Sequence, residues 1–196
     1  MKNNKFLIPA VALVGLVVTG TANAQVVMDF QDLEMNDNLI HNWGYLYTAG
    51  DWMISHPESE PFPFATFGTQ EARYPGSTAL FNNTVNGVIT FERIDGGAFD
   101  MLSIDIASLN DNGPVTVNFV GNLQGGGQVF DSFMTTGSDN VLQTHVFDSS
   151  FVNLLSLVWV QEAPFHQFDN ITIIPGPAGL ALLGLGALGA RRRRRA

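Results

Sequence analysis

Between Gln25 and Ile174 apolar residues return at every second position in short runs, and clusters of Gly, Asn and Asp cut the runs apart. A period of two is the pleat of a strand with one buried face, so this pattern commits the segment to sheet. Trp43, Tyr45 and Tyr47 alternate on one predicted face, and Ile89, Phe91 and Arg93 oppose Val88, Thr90 and Glu92. Leu102, Ile104 and Ile106 share a face, as do Val115, Val117 and Phe119; later runs cover 128–134, 143–147, 151–160 and 168–174. Breakers fall between them at Asp95-Gly96-Gly97, from Asn110 to Pro114, at Gly125-Gly126-Gly127 and from Gly137 to Asn140. About nine or ten strands at this spacing predict an all-β domain over 25–174, a two-sheet β-sandwich of the jelly-roll kind. A segment of that size buries roughly 70% of its unfolded surface, enough for one core. No internal repeat or linker divides it.

The chain has no cysteine, which excludes disulfide scaffolds and thiolate metal sites. Its formal charge of -9 is a sum over unlike pieces. Lys2, Lys5 and Arg191 to Arg195 lie at the ends, whereas all 18 acids lie between Asp29 and Asp169. Only Arg73 and Arg93 accompany those acids, so the central segment carries -16. Nucleic acid is not an expected partner, because phosphate binding needs clustered cations.

Both ends look like addresses. Lys2 and Lys5 precede an apolar run from Phe6 to Val18, and a small-residue stretch ends Ala22-Asn23-Ala24. Those are the three parts of a secretory signal peptide over 1–24, with signal peptidase cutting between Ala24 and Gln25 and Ala22 as the second small residue. The run, about 13 residues, falls short of the roughly 20 that span a bilayer. At the other end, 175–196 holds Pro175-Gly176-Pro177, an Ala, Gly and Leu run to Ala190, and Arg191, Arg192, Arg193, Arg194 and Arg195. A rigid turn, a hydrophobic helix and a basic stop predict a membrane segment with its arginines on the cytoplasmic side.

This order of parts resembles the PEP-CTERM sorting signal, over about 22 residues. In that family an exosortase, a membrane cysteine protease-transpeptidase, reads the signal, and its carriers are exported surface proteins often associated with exopolysaccharide. The resemblance implies transient anchoring in the inner membrane, then residence at the cell surface, in the outer envelope or in the extracellular matrix. One residue departs from it: the family's Glu between the prolines is Gly176 here. A plain C-terminal anchor is the competing reading. A looser resemblance lies in Asp29-Phe30-Gln31-Asp32-Leu33, in Gly96 to Ala107 and in Phe168-Asp169-Asn170-Ile171-Thr172-Ile173, which stand in the same order in many exported sorting-signal proteins. Those domains resemble carbohydrate-binding jelly rolls.

Chemistry in the central segment is sparse. No Gly-x-Ser-x-Gly elbow occurs, and His41, His56, His145 and His166 are scattered. Gly125-Gly126-Gly127 lacks the Lys and Ser or Thr of a phosphate loop and reads as a hairpin turn. Adjacent first and last strands would bring Asp29 toward Asp169 and Asn170, giving oxygen ligands that suit calcium; local turn hydrogen bonds are the alternative. The segment 41–67 gathers aromatic residues, and Trp43, Tyr47 and Trp52 in it, with Arg73 nearby to bond sugar hydroxyls, are the candidate glycan contacts, set against an ordinary core role. The reading that follows is a non-catalytic, exported surface or matrix protein with exopolysaccharide as its expected partner. Alternatives are a polysaccharide hydrolase or lyase using paired carboxylates in an aromatic groove, and an acidic spacer or adhesin.

Overall fold

A computed structural model describes residues 24–109, 113–137, 140–162 and 165–176. Apart from one short helical turn at Gln31–Leu33, the regular structure in them is strand. In chain order these are β1 Val26–Met28, β2 Ile40–Gly44, β3 Leu46–Ala49, β4 Trp52–Ser55, β5 Phe64–Phe67, β6 Phe81–Asn82 and β7 Gly87–Arg93. The longer strands follow: β8 Phe99–Ser108, β9 Thr116–Leu123, β10 Gln128–Met134, β11 Gln143–Val146, β12 Leu154–Gln161 and β13 His166–Pro175.

The strands form two antiparallel leaves. The back leaf runs β10-β9-β12-β7-β4-β3. The front leaf is built on β11-β8-β13. The outer side of β13 is shared: β1 pairs with its later half, and a Leu80–Phe168 bridge ties its start to the small sheet β2-β5-β6. The leaves touch through one backbone pair, Leu154–Phe99. Successive strands from β7 to β13 change leaf at every connection except the β9–β10 hairpin, which is the winding of a jelly roll.

Facing side chains fill the interior. Ile104, Ile106, Phe168 and Ile171 of the front leaf meet Ile54, Phe91, Val117, Phe119, Leu157 and Trp159 of the back leaf in one buried cluster. Trp159 meets Phe168 edge-on at 5.0 Å, and Phe91 meets Phe99 edge-on at 5.3 Å, the geometry that ring quadrupoles favour. An aromatic interior of this density holds the domain without disulfides.

Two parts of the predicted pattern are corrected. Gly44 has φ +89, a conformation costly for any residue with a Cβ, and it breaks the expected run of Trp43, Tyr45 and Tyr47. Trp43 stays on β2 in the small sheet, while Tyr47 lies on β3 at the edge of the back leaf. Leu102 leaves the face of Ile104 and Ile106, because the β8–β13 register shifts between Met101 and Ser103, near Asn170 at φ 47. The signal segment up to Asn23, and 177–196 with the expected hydrophobic helix, lie outside the described residues; Pro175 ends β13 as a strand residue.

Candidate functional site

The aromatic segment turns inward. Trp52 is 4% exposed, stacks flat on Phe91 at 5.3 Å and meets Phe99 edge-on at 5.4 Å. Tyr47 is buried against Phe30, and its hydroxyl donates to Asp32 Oδ1 at 2.6 Å. Burial, then the bond to Asp32, pushes that phenol above its ordinary range. Trp43 packs half-buried on the core and donates its indole N–H to Thr66 Oγ1 at 2.9 Å. Arg73 lies over the Phe67 ring at 4.4 Å and pairs with Glu71 at 2.9 Å. The expected glycan role of Tyr47 and Trp52 is therefore corrected: their rings are core. Trp43 and Arg73 are committed to intramolecular partners.

One acid of this segment, Glu60, is also engaged. Glu60 accepts Asn82 Nδ2 and the Val88 amide at 2.9 Å each, and pairs with His56 Nδ1 at 2.8 Å. Burial draws the His56 imidazole below its ordinary range, against the pull of Glu60. This cluster is an interior brace between the 56–62 loop and β7.

A different surface has the properties of a binding face. Register places Phe130, Val120, Val158, Thr90, Ser55 and Leu46 in one row across the six strands of the back leaf. The next row is Gln128, Asn122, Ser156, Glu92, Met53 and Thr48. Their neighbours in sequence, including Phe119, Trp159, Phe91 and Ile54, point into the core, so both rows lie on the outer face. Gln128 Nε2 donates to Asn122 Oδ1 at 2.9 Å, and Asn122 Nδ2 donates to Ser156 Oγ at 2.8 Å. Beside this polar chain, Phe130 is 68% exposed. A groove of about 400 Å³ runs along Asn118, Val120, Phe130 and Ser132.

No cation stands in the two rows. Arg93 is on the inward side of β7, paired with Asp95 at 2.7 Å and donating to the carbonyls of Ala98 and Gly176 at 3.3 Å each. Sequence reasoning missed Phe130 because both phases of β10 carry an aromatic ring, Phe130 on one and Phe133 on the other. Only the pairing with β9 shows which one faces out.

The candidate calcium residues come together in part. Antiparallel pairing sets Met28 opposite Ile171, so Asp29 follows at the level of Asn170. Asp169 is fully buried; its Oδ1 accepts the Asn170 amide at 2.8 Å, and its Oδ2 has no hydrogen-bond partner. Burial, reinforced by the charges of Asp105 and Asp29, pushes its carboxyl up to about 7, against the lowering influence of Ser77 and the Asn170 amide. Asn170 Nδ2 donates to Asp105 Oδ2 at 2.9 Å, and Thr144 Oγ1 donates to Asp105 Oδ1 at 2.6 Å. Among the described residues, no three His, Asp or Glu side chains gather into a metal cluster.

Of the expected processing residues, Ala24, Gln25, Pro175 and Gly176 are described; Ala22, Pro177 and Arg191 to Arg195 are not. Gly176 donates its amide to Ala98 O at 2.8 Å, and a Cβ there would lie 2.6 Å from that oxygen. The close approach accounts locally for glycine where the resembled signal has Glu.

No family model matches the chain, and no curated protein does. Among solved structures it is similar to family 29 carbohydrate-binding modules. Two are mutants made to probe ligand recognition, at 15% and 14% identity with TM-scores of 0.35 and 0.36; each match covers 78% of this chain, and 90% and 92% of theirs. A third, carbohydrate-binding module family 29, is 16% identical with a TM-score of 0.35, covering 79% of this chain and 90% of its own. Similarity at this level transfers neither a site nor a ligand.

Proposed function

We propose that this is an exported, non-catalytic protein of the cell surface or extracellular matrix whose sandwich binds polysaccharide on the outer face of the back leaf. The observation that carries the reading is Phe130, 68% exposed beside a hydrogen-bonded row of Gln128, Asn122 and Ser156. The apolar face of a pyranose stacks on such a ring while amides and hydroxyls exchange bonds with the sugar hydroxyls. Backbone pairing across six strands fixes the spacing of the row, and the bonds along Gln128, Asn122 and Ser156 already order those side chains, so less ordering opposes binding. Covering the ring contributes about 1.5–3 kcal/mol, a range that spans weak but useful retention on a repeating polymer.

Export and delivery belong to the same reading: signal peptidase acts at Ala24–Gln25, and an exosortase-type membrane enzyme acts on the Pro175-Gly176-Pro177 signal. The support is the order of parts at both ends. A hydrolase or lyase is the less favoured alternative. Glycoside hydrolysis needs two carboxyl groups flanking the bond, roughly 5–10 Å apart; the two rows hold one carboxylate, that of Glu92, and the acid of the groove, Asp131, is paired with His145 at 2.9 Å. Retention of the purified protein on immobilised exopolysaccharide from its own host tests the binding. Retention is expected, and passage with the void volume on that polymer and on a panel of other glycans contradicts it.

A further inference from the structure

We propose that the gap on the outer side of β13 is a divalent-cation site of calcium type, with Asp169 and Asp29 as carboxylate ligands and the Ser77 hydroxyl beside them. The site is independent of the glycan face. On that side β13 is paired by β1 as far as Ile171 and by Leu80 at Phe168, which leaves 169 and 170 without a ladder partner. Asp29 flanks the gap where β1 ends, and Ser77 flanks it in the segment leading to Leu80; Gln31 Nε2 bridges the two, bonding Asp29 O at 2.9 Å and Ser77 Oγ at 2.8 Å.

Asp169 decides the chemistry. Its side chain is fully buried; the Asn170 amide holds Oδ1, the Ser77 hydroxyl acts on the carboxyl from beside it, and Oδ2 makes no hydrogen bond of good geometry. A buried carboxylate oxygen without a partner is costly, and neighbouring acids make it more so. Among the described residues no Arg or His pairs with Asp29, Asp105 or Asp169. Asp105 is occupied, with one oxygen bonded by Thr144 and the other by Asn170. Asp29 accepts only the Gln31 amide, at 3.4 Å, and keeps lone pairs free. A bound cation would supply the missing countercharge. The available donors are carboxylate, hydroxyl and carbonyl oxygens with no imidazole or sulfur, which suits calcium over zinc, and main-chain carbonyls or water complete such shells.

Thermal unfolding of the full chain in CaCl2, against the same buffer with chelator, tests the site. Calcium well above its dissociation constant is expected to raise Tm by about 5–10 °C. Asp169→Asn keeps the shape and removes the charge; it is expected to abolish the calcium response while leaving Tm in chelator at or above that of the wild type. If that variant does not fold, Asp29→Asn, at an exposed position, is expected to weaken the response at least tenfold in the calcium concentration required. Three results overturn the proposal: an unchanged wild-type Tm, an equal rise in NaCl of matched ionic strength, or a full response in whichever variant folds.

Discussion

Trp52 and Phe130 both belong to back-leaf strands, and the side of the pleat separates their roles. Trp52 lies in register with Arg93 on the inward phase, where Phe91 and Phe99 enclose it. Phe130 lies in register with Val120 on the outward phase at the edge of the leaf. Tryptophan in an aromatic stretch reads as a sugar platform only if its phase is known, and phase depends on the partner strand. Buried titratable residues give this scale its measurable signature. His166 is fully enclosed, neither ring nitrogen has a hydrogen-bond partner, and burial drives its imidazole down to about 3. The unfolded chain, with an ordinary histidine near 6.5, therefore binds more protons between those values. The contribution of His166 to stability is fully present above about 6.5 and is lost as pH falls toward 3. Asp169, raised to about 7, works in the opposite sense, losing its contribution as pH rises from about 4 to 7. Replacing His166→Phe isolates the first effect: the unfolding free energy from urea titrations is expected to fall less steeply between pH 6 and 4 than in the wild type. An unchanged slope would contradict the buried neutral histidine.

At the scale of elements, β7 and β9 lie where the alternation puts them, because a strand with one wet face writes its phase into the sequence, whereas β10, with a ring on each phase, shows its position but not its facing. The last strand, β13, carries buried residues on both faces, and its buried His166, Gln167 and Asp169 hide its period. β1 and β6, three and two residues long, are too short to show a period and exist through their partners. The segment 40–55 misleads, because one glycine turns a single apparent strand into β2 and β3 on different sheets. Gly44 has open space where a Cβ would go, so a side chain there is opposed by backbone conformation alone. Gly44→Ala is expected to cost about 1–2 kcal/mol, and Gly125→Ala, in open space without a positive φ, less than about 0.5 kcal/mol. Equal midpoints for the two variants in chemical denaturation would show that the 44–45 break is not required. The candidate face was illegible for a related reason: its rows collect single residues from six strands between Leu46 and Val158, and only register aligns them.

Over the whole molecule, charge and ends tell most. The central segment's 18 acids stand against two arginines that are both spent on neighbours, Arg73 on Glu71 and Arg93 on Asp95, for a net -16. Such a domain stays soluble and repels polyanions. If the outer face binds glycan as proposed, the glycans it selects are those held by stacking and neutral hydrogen bonds. If the end segments act as proposed, mass spectrometry of the cell-surface form is expected to find a chain beginning at Gln25 and lacking Arg191 to Arg195. Recovery of the intact arginine tail would contradict sorting cleavage and leave a plain anchor. The most direct test of the binding face is native electrophoresis through gels cast with neutral polysaccharides, comparing the wild type with Phe130→Ala. The expected result is a wild type retarded by at least one polymer and a variant with the same unfolding midpoint that runs as in a polymer-free gel. Equal retardation of the two would place binding elsewhere, and no retardation of the wild type by any polymer, its host's exopolysaccharide included, would contradict polysaccharide binding itself.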